Sequence, residues 1–326
     1  MHVRVIDESA VNRLLPMPKC IELVRHAMIL TAQGGALQPI RTGLAMPNAH
    51  GLLGMMPGYI ADPQWLGIKV TAVFPSNQGT QYGSHQGMVL LFDTQVGCPV
   101  AMVNGRAVTY LRTAAASAVA TEALARTDAR TVAILGYGDQ AAAHIKSMSI
   151  VRRFERFVVW GRSSRSCREF AAKQRAVQLI QLDSVANIEE AVGCDVICTT
   201  TGAERPLFPS SMLGNGAHLN VVGSSIPSTT EIDSQTVSRS RFYVDFKDSA
   251  LALAGDFLAA KREGLVTDGH ILGTVGEVIL GRIEGRRSPL DITLFKSLGM
   301  ISEDLVCADY IYRRAQEENV GTLVDL

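Results

Sequence analysis

The residues whose types and spacing point most directly to chemistry are Gly136-Tyr137-Gly138-Asp139-Gln140-Ala141, placed directly after the apolar run Val132-Ala133-Ile134-Leu135. Glycine at the first position permits a tight turn, and Gly138 lets the backbone approach a pyrophosphate closely. The small Ala141 allows contact between helix and strand, and the N–H groups opening the new helix face the phosphates. Taken alone the pattern fits any glycine turn. Between a strand and a helix it predicts a dinucleotide site built from Gly136, Gly138, Asp139, Gln140 and Ala141. At the end of the next strand an acid would bind the ribose hydroxyls of NAD, but this chain has Trp160-Gly161-Arg162-Ser163 there. Arg162 can pair with a 2′-phosphate and stack on adenine, Ser163 can donate a hydrogen bond to the same group, and Arg165 is placed to assist. NADPH is therefore the preferred cofactor, with NADH also admissible. The alternative for Arg162 is a solvated loop arginine.

Two cations stand where solvation alone does not account for them. Lys69 lies among Ile68, Val70 and Ala72, and strand alternation gives it Gly67 and Thr71 as same-face neighbours. Arg112 precedes the uncharged helical stretch Thr113-Ala114-Ala115-Ala116-Ser117, so its guanidinium needs an anion nearby. A structural ion pair is the alternative for each. His85 and His218 are secondary candidates as bases. Glu277, in Thr274-Val275-Gly276-Glu277, reads equally as a packing residue or a site residue.

Two bodies are needed to carry these residues. Up to about residue 115, short apolar runs alternate with Gly, Pro and Asn, and the stretch over 87–105 reads as a hairpin turning around Gly97 and Pro99. This predicts an antiparallel sheet or partial barrel opened by a helix around Lys19 to Gln33. Thr113 to Ala125 is rich in the best helix formers without bulk and reads as a connector. From Thr131 the rhythm becomes strand, glycine turn, helix, strand. Helices are expected over Gln140–Val151 and Arg165–Ala176, and strands in Arg156–Arg162, Cys194–Thr201, Ala217–Ser225 and Arg241–Phe246. The fold class is α/β, a Rossmann-type doubly wound parallel sheet with right-handed crossovers, plus a second α+β domain. The expected boundaries are 1–118, completed by 296–326, and 119–295 for the dinucleotide-binding part. The piece from about Leu294 reads as helix.

With 326 residues, 47% hydrophobic and 19% charged, the chain is long enough for two cores. Lys+Arg and Asp+Glu both number 31, so no bulk field gathers nucleic acid or anionic lipid. No run approaches the ~18 apolar residues of a membrane span, and the N-terminus lacks a signal-peptide succession. The scattered cysteines Cys20, Cys98, Cys167, Cys194, Cys198 and Cys307 read as free thiols of a reducing cytoplasm. Cys194 and Cys198 would share one strand face, but no second cluster of Cys or His joins them, and no metal is expected.

Several segments in order, GLLGMMPGY, LGIKVTAVFP, GMVLLFD, TYLRTAAASAVA, ILGYGDQA, GAHLNVVGSS-IP-E and TLFKSLGM, resemble the ornithine cyclodeaminase/mu-crystallin family over nearly the full length. That family contains ornithine and lysine cyclodeaminases, an archaeal-type alanine dehydrogenase and ketimine reductases. The resemblance implies a homodimer joined through the non-nucleotide domain, with the active site in the interdomain cleft. It implies that Arg41, Lys69 and Arg112 hold a substrate carboxylate, with Lys69 also a proton donor. It places Ser297, in Lys296-Ser297-Leu298-Gly299, beside the nicotinamide, and Thr113 and Val222 complete the cofactor set. Cyclodeaminases of the family carry an aspartate in G-x-D-x-P as acceptor of a proton from the substrate's amino group. Here the motif is Gly223-Ser224-Ser225-Ile226-Pro227, and a hydroxyl is a poor base that can hydrogen-bond an imine nitrogen. The acid that cyclodeaminases place near the side-chain amine is also missing from Leu53-Gly54-Met55-Met56. The expected activity is reduction of small cyclic α-imino acids, pyrroline-2-carboxylate or piperideine-2-carboxylate, with Lys69 and Ser225 catalytic. The alternatives are ornithine cyclodeamination, alanine-type dehydrogenation, and a non-enzymatic ligand-binding protein on the same fold.

Overall fold

The computed structural model describes residues 2–47, 50–77 and 80–325. In chain order the first elements are β1 (His2–Ile6), α1 (Glu8–Leu14), α2 (Met17–Ala32), β2 (Ala36–Leu37), β3 (Thr42–Ala45), β4 (Leu52–Ala61), β5 (Gln64–Val73), β6 (His85–Phe92), β7 (Pro99–Asn104) and α3 (Gly105–Leu124). Then come β8 (Thr131–Leu135), α4 (Asp139–Val151), β9 (Arg156–Trp160), α5 (Ser164–Gln178), β10 (Leu182–Ser184), α6 (Ile188–Val192), β11 (Val196–Thr199) and β12 (His218–Val221). The chain continues through α7 (Ser234–Arg239), β13 (Ser240–Val244), α8 (Lys247–Leu253), α9 (Gly255–Arg262), β14 (Ile271–Thr274), α10 (Val275–Ile279) and β15 (Ile292–Lys296). It ends with α11 (Ile301–Glu317) and β16 (Thr322–Asp325). These divide into two units: Met1–Arg112 with Met300–Leu326, and Thr113–Gly299.

Unit 1 is one sheet in the order β16-β1-β7-β6-β5-β4-β2, with β3 also on β4. Its pairings are antiparallel except β1 with β7. Alternation divides the sheet into two faces. On one, Val89, Leu91, Ala101 and Val103 are fully buried, and α11 lies against it. A Cβ added at Gly58 would sit 2.4 Å from Ile301, and one at Gly67 2.4 Å from Leu305, so these glycines let helix and sheet approach. The other face carries Leu53, Leu66, Ile68, Met88 and Leu90 and is open, with Leu66 47% exposed.

Helix α3 begins eight residues earlier than the sequence pattern places it, at Gly105 rather than Thr113. Asn104 Oδ1 accepts from the Ala107 N–H at 2.9 Å, and a Cβ at Gly105 would lie 2.8 Å from the Met88 nitrogen, so the first turn is fixed against β6. At its other end the Leu124 carbonyl accepts from Arg286 Nε at 2.9 Å and Thr293 Oγ1 at 3.0 Å, partners for a helix-end orphan.

Unit 2 is an eight-stranded sheet in the order β10-β9-β8-β11-β12-β15-β13-β14. Every pairing is parallel, the arrangement that alternating strand and helix segments predict. Three expectations need correction. The segment from Leu294 is not helix: Ile292–Lys296 is an interior strand paired with β12 and β13, and the helix starts at Ile301. A short, wholly buried apolar run carries no period that separates strand from helix. Cys194 lies before β11 rather than on it, so it shares no strand face with Cys198, and all six cysteines are free. The units divide at Thr113 and Met300 rather than 119 and 296. Leu298 and Gly299 belong to unit 2 because both their N–H groups donate to Asp245 Oδ2 at 2.6 Å.

Two buried histidines tie unit 2 to pH. His218 bonds Thr293 Oγ1 at 3.0 Å and Asn220 Oδ1 at 3.3 Å, and burial, then Arg286, pushes its pKa down to about 3. His144 bonds Ser117 Oγ at 2.9 Å and the Gln140 carbonyl at 2.8 Å, and burial pushes it down to about 4. Unfolded histidine titrates near ~6.5, so below that pH the unfolded chain takes up protons the folded one refuses. Stability should therefore fall as pH drops from 7.5 through about 6.5 towards 4. Urea unfolding at stepped pH measures this. A flat profile above pH 5.5, or an unchanged slope in His218→Asn, contradicts it.

Candidate active site

In unit 1 the face of β5 that meets α11 is read off one side chain at a time. Trp65 Nε1 donates to Asp309 Oδ1 at 2.6 Å, Gly67 meets Leu305, and Lys69 Nζ donates to Asp304 Oδ1 and Oδ2 at 3.1 and 3.2 Å. Arg112, from α3, donates through Nε to the same Asp304 Oδ1 at 3.2 Å and through Nη1 to Glu303 Oε2 at 3.3 Å. One aspartate thus holds a lysine and an arginine side by side. Lys69 and Arg112 are 4% and 5% exposed, and both acids are fully buried. Arg41 lies in the loop just before β3, whose Thr42 pairs with Met55, while Met56 on the same β4 pairs with Lys69. Of the three expected carboxylate-binding cations, Lys69 and Arg112 are brought together on Asp304.

Burial pushes the Lys69 amine down to about 8 against the opposing pull of Asp304, with Arg112 lowering it further. Such an ammonium is charged at neutral pH yet surrenders a proton more readily than an ordinary lysine. A lone cation there would be costly; the carboxylates make the pair tolerable and fix its direction.

In unit 2 the turn after β8 has the features a dinucleotide requires. Gly136 has φ +128°, and a Cβ there would collide with Thr200 Oγ1 at 2.7 Å. At Gly138, the N-cap of α4, no protein atom lies within 4 Å of where a Cβ would be. No side chain caps α4, and an uncapped helix N-terminus of this kind suits a phosphate. Ala141 is fully buried beneath them. The residues present therefore fit a pyrophosphate. Arg162 is exposed just beyond β9, while Ser163 caps α5, accepting from Ser166 N at 3.2 Å. Thr113 is buried in α3, Ser297 is buried with its N–H on the Val221 carbonyl at 3.0 Å, and the Val222 N–H donates to Thr199 O at 3.1 Å.

Ser225 is half-buried in the loop after β12, and its neighbour Ser224 is fully buried. His218 is occupied inside the core, as above. His85 is exposed at the start of β6, paired with Ser84. Glu277 Oε2 accepts from the Thr274 N–H at 2.8 Å in a capping box, a helix-end role. The anions Glu303, Asp304, Asp256 and Glu231 were not legible in the sequence as partners; acids in the first turn of a helix, such as Glu303 and Asp304, read as dipole complements.

The family model described as "Ornithine cyclodeaminase/mu-crystallin family" matches residues 2–319. The chain belongs to this family. It is 33% identical over 323 residues to a Delta(1)-pyrroline-2-carboxylate reductase of Bacillus cereus, covering 98% of this chain and 99% of that one. The solved Thermococcus litoralis Delta(1)-pyrroline-2-carboxylate reductase in complex with NADH and L-proline superposes with a TM-score of 0.95 at 32% identity, covering 98% and 99%. An archaeal alanine dehydrogenase dimer with bound NAD gives 0.94 at 26% identity, covering 100% of both chains. Family members thus bind NAD(H) on this fold.

Asp304→Asn leaves Lys69 and Arg112 facing each other with one counter-charge fewer. The Lys69 amine should fall further below about 8, and stability at neutral pH should drop by about 3–5 kcal/mol. Lysine can shed its proton, so the deficit relative to the unmodified chain should shrink as pH rises from 6 to 8. Urea unfolding of both chains at pH 6, 7 and 8 checks the sign. A deficit that grows with pH contradicts the assignment.

Proposed function

We propose that this chain is an NAD(P)H-dependent reductase of small cyclic α-imino acids, converting pyrroline-2-carboxylate or piperideine-2-carboxylate to proline or pipecolate. The observation that carries the choice of reaction is Ser225. A cyclodeaminase must deprotonate an amine there, and a hydroxyl serves instead to hydrogen-bond an imine that arrives already unsaturated. Relatives named as pyrroline-2-carboxylate reductases, matched from end to end, support the same reading.

Arg41, Lys69 and Arg112 take the substrate carboxylate. Asp304 and Glu303 hold Lys69 and Arg112 in place, so the buried pair supplies direction. The Lys69 ammonium, with its pKa near 8, delivers the proton that the ring nitrogen gains. Ser225 orients that nitrogen. The Gly136–Ala141 turn would hold the pyrophosphate of a dinucleotide and Thr113, Val222 and Ser297 would complete its site, and such a reduced cofactor would supply hydride for the α-carbon. Arg162 and Ser163 favour NADPH over NADH.

The second partner is another copy of this chain. The open apolar face of the unit 1 sheet, with Leu44 65% and Leu66 47% exposed, matches an isologous interface better than a solvated surface, and an archaeal relative is named as a dimer. Among the described residues no helix is long and apolar enough to cross a membrane, and with its free thiols the chain fits a cytoplasmic setting.

The reaction is tested by following NADPH and NADH oxidation against a panel of cyclic imines, with ammonia release from ornithine and alanine measured in parallel. Turnover of a five- or six-membered ring imine without ammonia is expected. Robust ammonia release from ornithine with catalytic NAD would overturn the reading and show that another acid replaces the missing aspartate.

Cofactor choice is tested separately. Arg162→Ala removes a charge-assisted contact worth about 1.5–3 kcal/mol, so NADPH affinity should fall by roughly one to two orders of magnitude while NADH is little changed. Equal losses for both nucleotides would show that Arg162 does not read the 2′-phosphate.

A further inference from the structure

The loop from Gly223 to Glu231 is anchored from beneath by charges that the reaction itself does not use. Lys296, at the end of β15, is fully buried, with Nζ 2.8 Å from Asp256 Oδ2 and donating to Ser224 Oγ. Ser224 Oγ in turn donates to the same Asp256 oxygen, while Asp256 Oδ1 accepts from the N–H groups of Glu231 at 2.7 Å and Ile232 at 3.2 Å. Glu231 accepts from Thr199 Oγ1 at 2.6 Å, Thr201 N and Oγ1 at 2.8 and 2.7 Å, and the Gly223 N–H at 2.6 Å. A Cβ at Gly223 would sit 2.0 Å from the Thr201 carbonyl, so the backbone is drawn tight against its support.

An apolar filler of equal volume would hold a core at least as well as three buried charges. What an ionic set adds is direction, because each hydrogen bond fixes an angle as well as a distance. Of the two adjacent serines, Ser224 is fully buried on that set and Ser225 is half-buried. We propose that Ser224, held by the Lys296–Asp256 pair, is a positioning residue that fixes the direction in which the Ser225 hydroxyl is presented to the ring nitrogen. The inference rests on the role of Ser225 given under Proposed function.

Ser224→Ala removes the bridging hydroxyl and leaves the Lys296–Asp256 pair in place, so the chain folds. Its kcat for cyclic imine reduction should fall by about five-fold, the size of one neutral hydrogen bond, with the KM for NADPH unchanged within about two-fold. In a Ser225→Ala background the same substitution should change kcat by less than about two-fold, since the hydroxyl it positions is gone. An equal loss in both backgrounds, or no loss in the unmodified one, overturns the proposal. Should the unmodified chain reduce no cyclic imine, the reaction reading falls, and amide exchange then decides the inference. Faster exchange confined to residues 223–226 in Ser224→Ala supports it, and unchanged exchange there overturns it.

Discussion

Unit 1 is organised around the removal of Lys69 and Arg112 from water. Two cations at that burial are untenable without anions at hydrogen-bond distance, and Asp304 and Glu303 supply them. Both acids sit in the first turn of α11, so the helix must lie close over the sheet. The side chains of Gly58 and Gly67 are absent where Ile301 and Leu305 need the space. Lys69 and Arg112 then project from a strand and a helix rather than from loops, which holds their direction.

Unit 2 meets a related constraint with backbone instead of side-chain charge. The N-terminus of α4 offers N–H groups that no side chain caps, and Gly136 turns the chain into it through a positive φ that other residues avoid. The loop after β12 inverts the arrangement. There the N–H groups of Gly223, Glu231 and Ile232 are consumed by Glu231 and Asp256 carboxylates, so the loop is fastened rather than left open to a ligand.

Much of this was legible in the sequence because it is local. Strand, glycine turn and helix follow one another at Val132–Val151, and the cations Lys69 and Arg112 stand out against apolar neighbours. What stayed hidden is non-local. Nothing near Lys69 in the chain points to Asp304, whose acid reads as an ordinary helix-start residue. Nothing near Lys296 in the chain points to its burial against Asp256 and Ser224. The misreading of the segment from Leu294 as helix has a related cause, since an interior parallel strand is apolar on both faces and loses its period. The start of α3 at Gly105 was missed because a backbone contact with Met88, not a helix propensity, sets it.

The split composition of unit 1 gives its assembly a direction in time. Lys69 and Arg112 leave the ribosome before any of unit 2, whereas Asp304 follows only after Gly299 closes unit 2. Through most of synthesis the nascent sheet therefore carries two unmatched cations on the face that will be buried, and it stays hydrated there. The last helix to emerge is the one that dehydrates it. The burial of Lys69 and Arg112 is thus a late event of biosynthesis, completed only once unit 2 has been made.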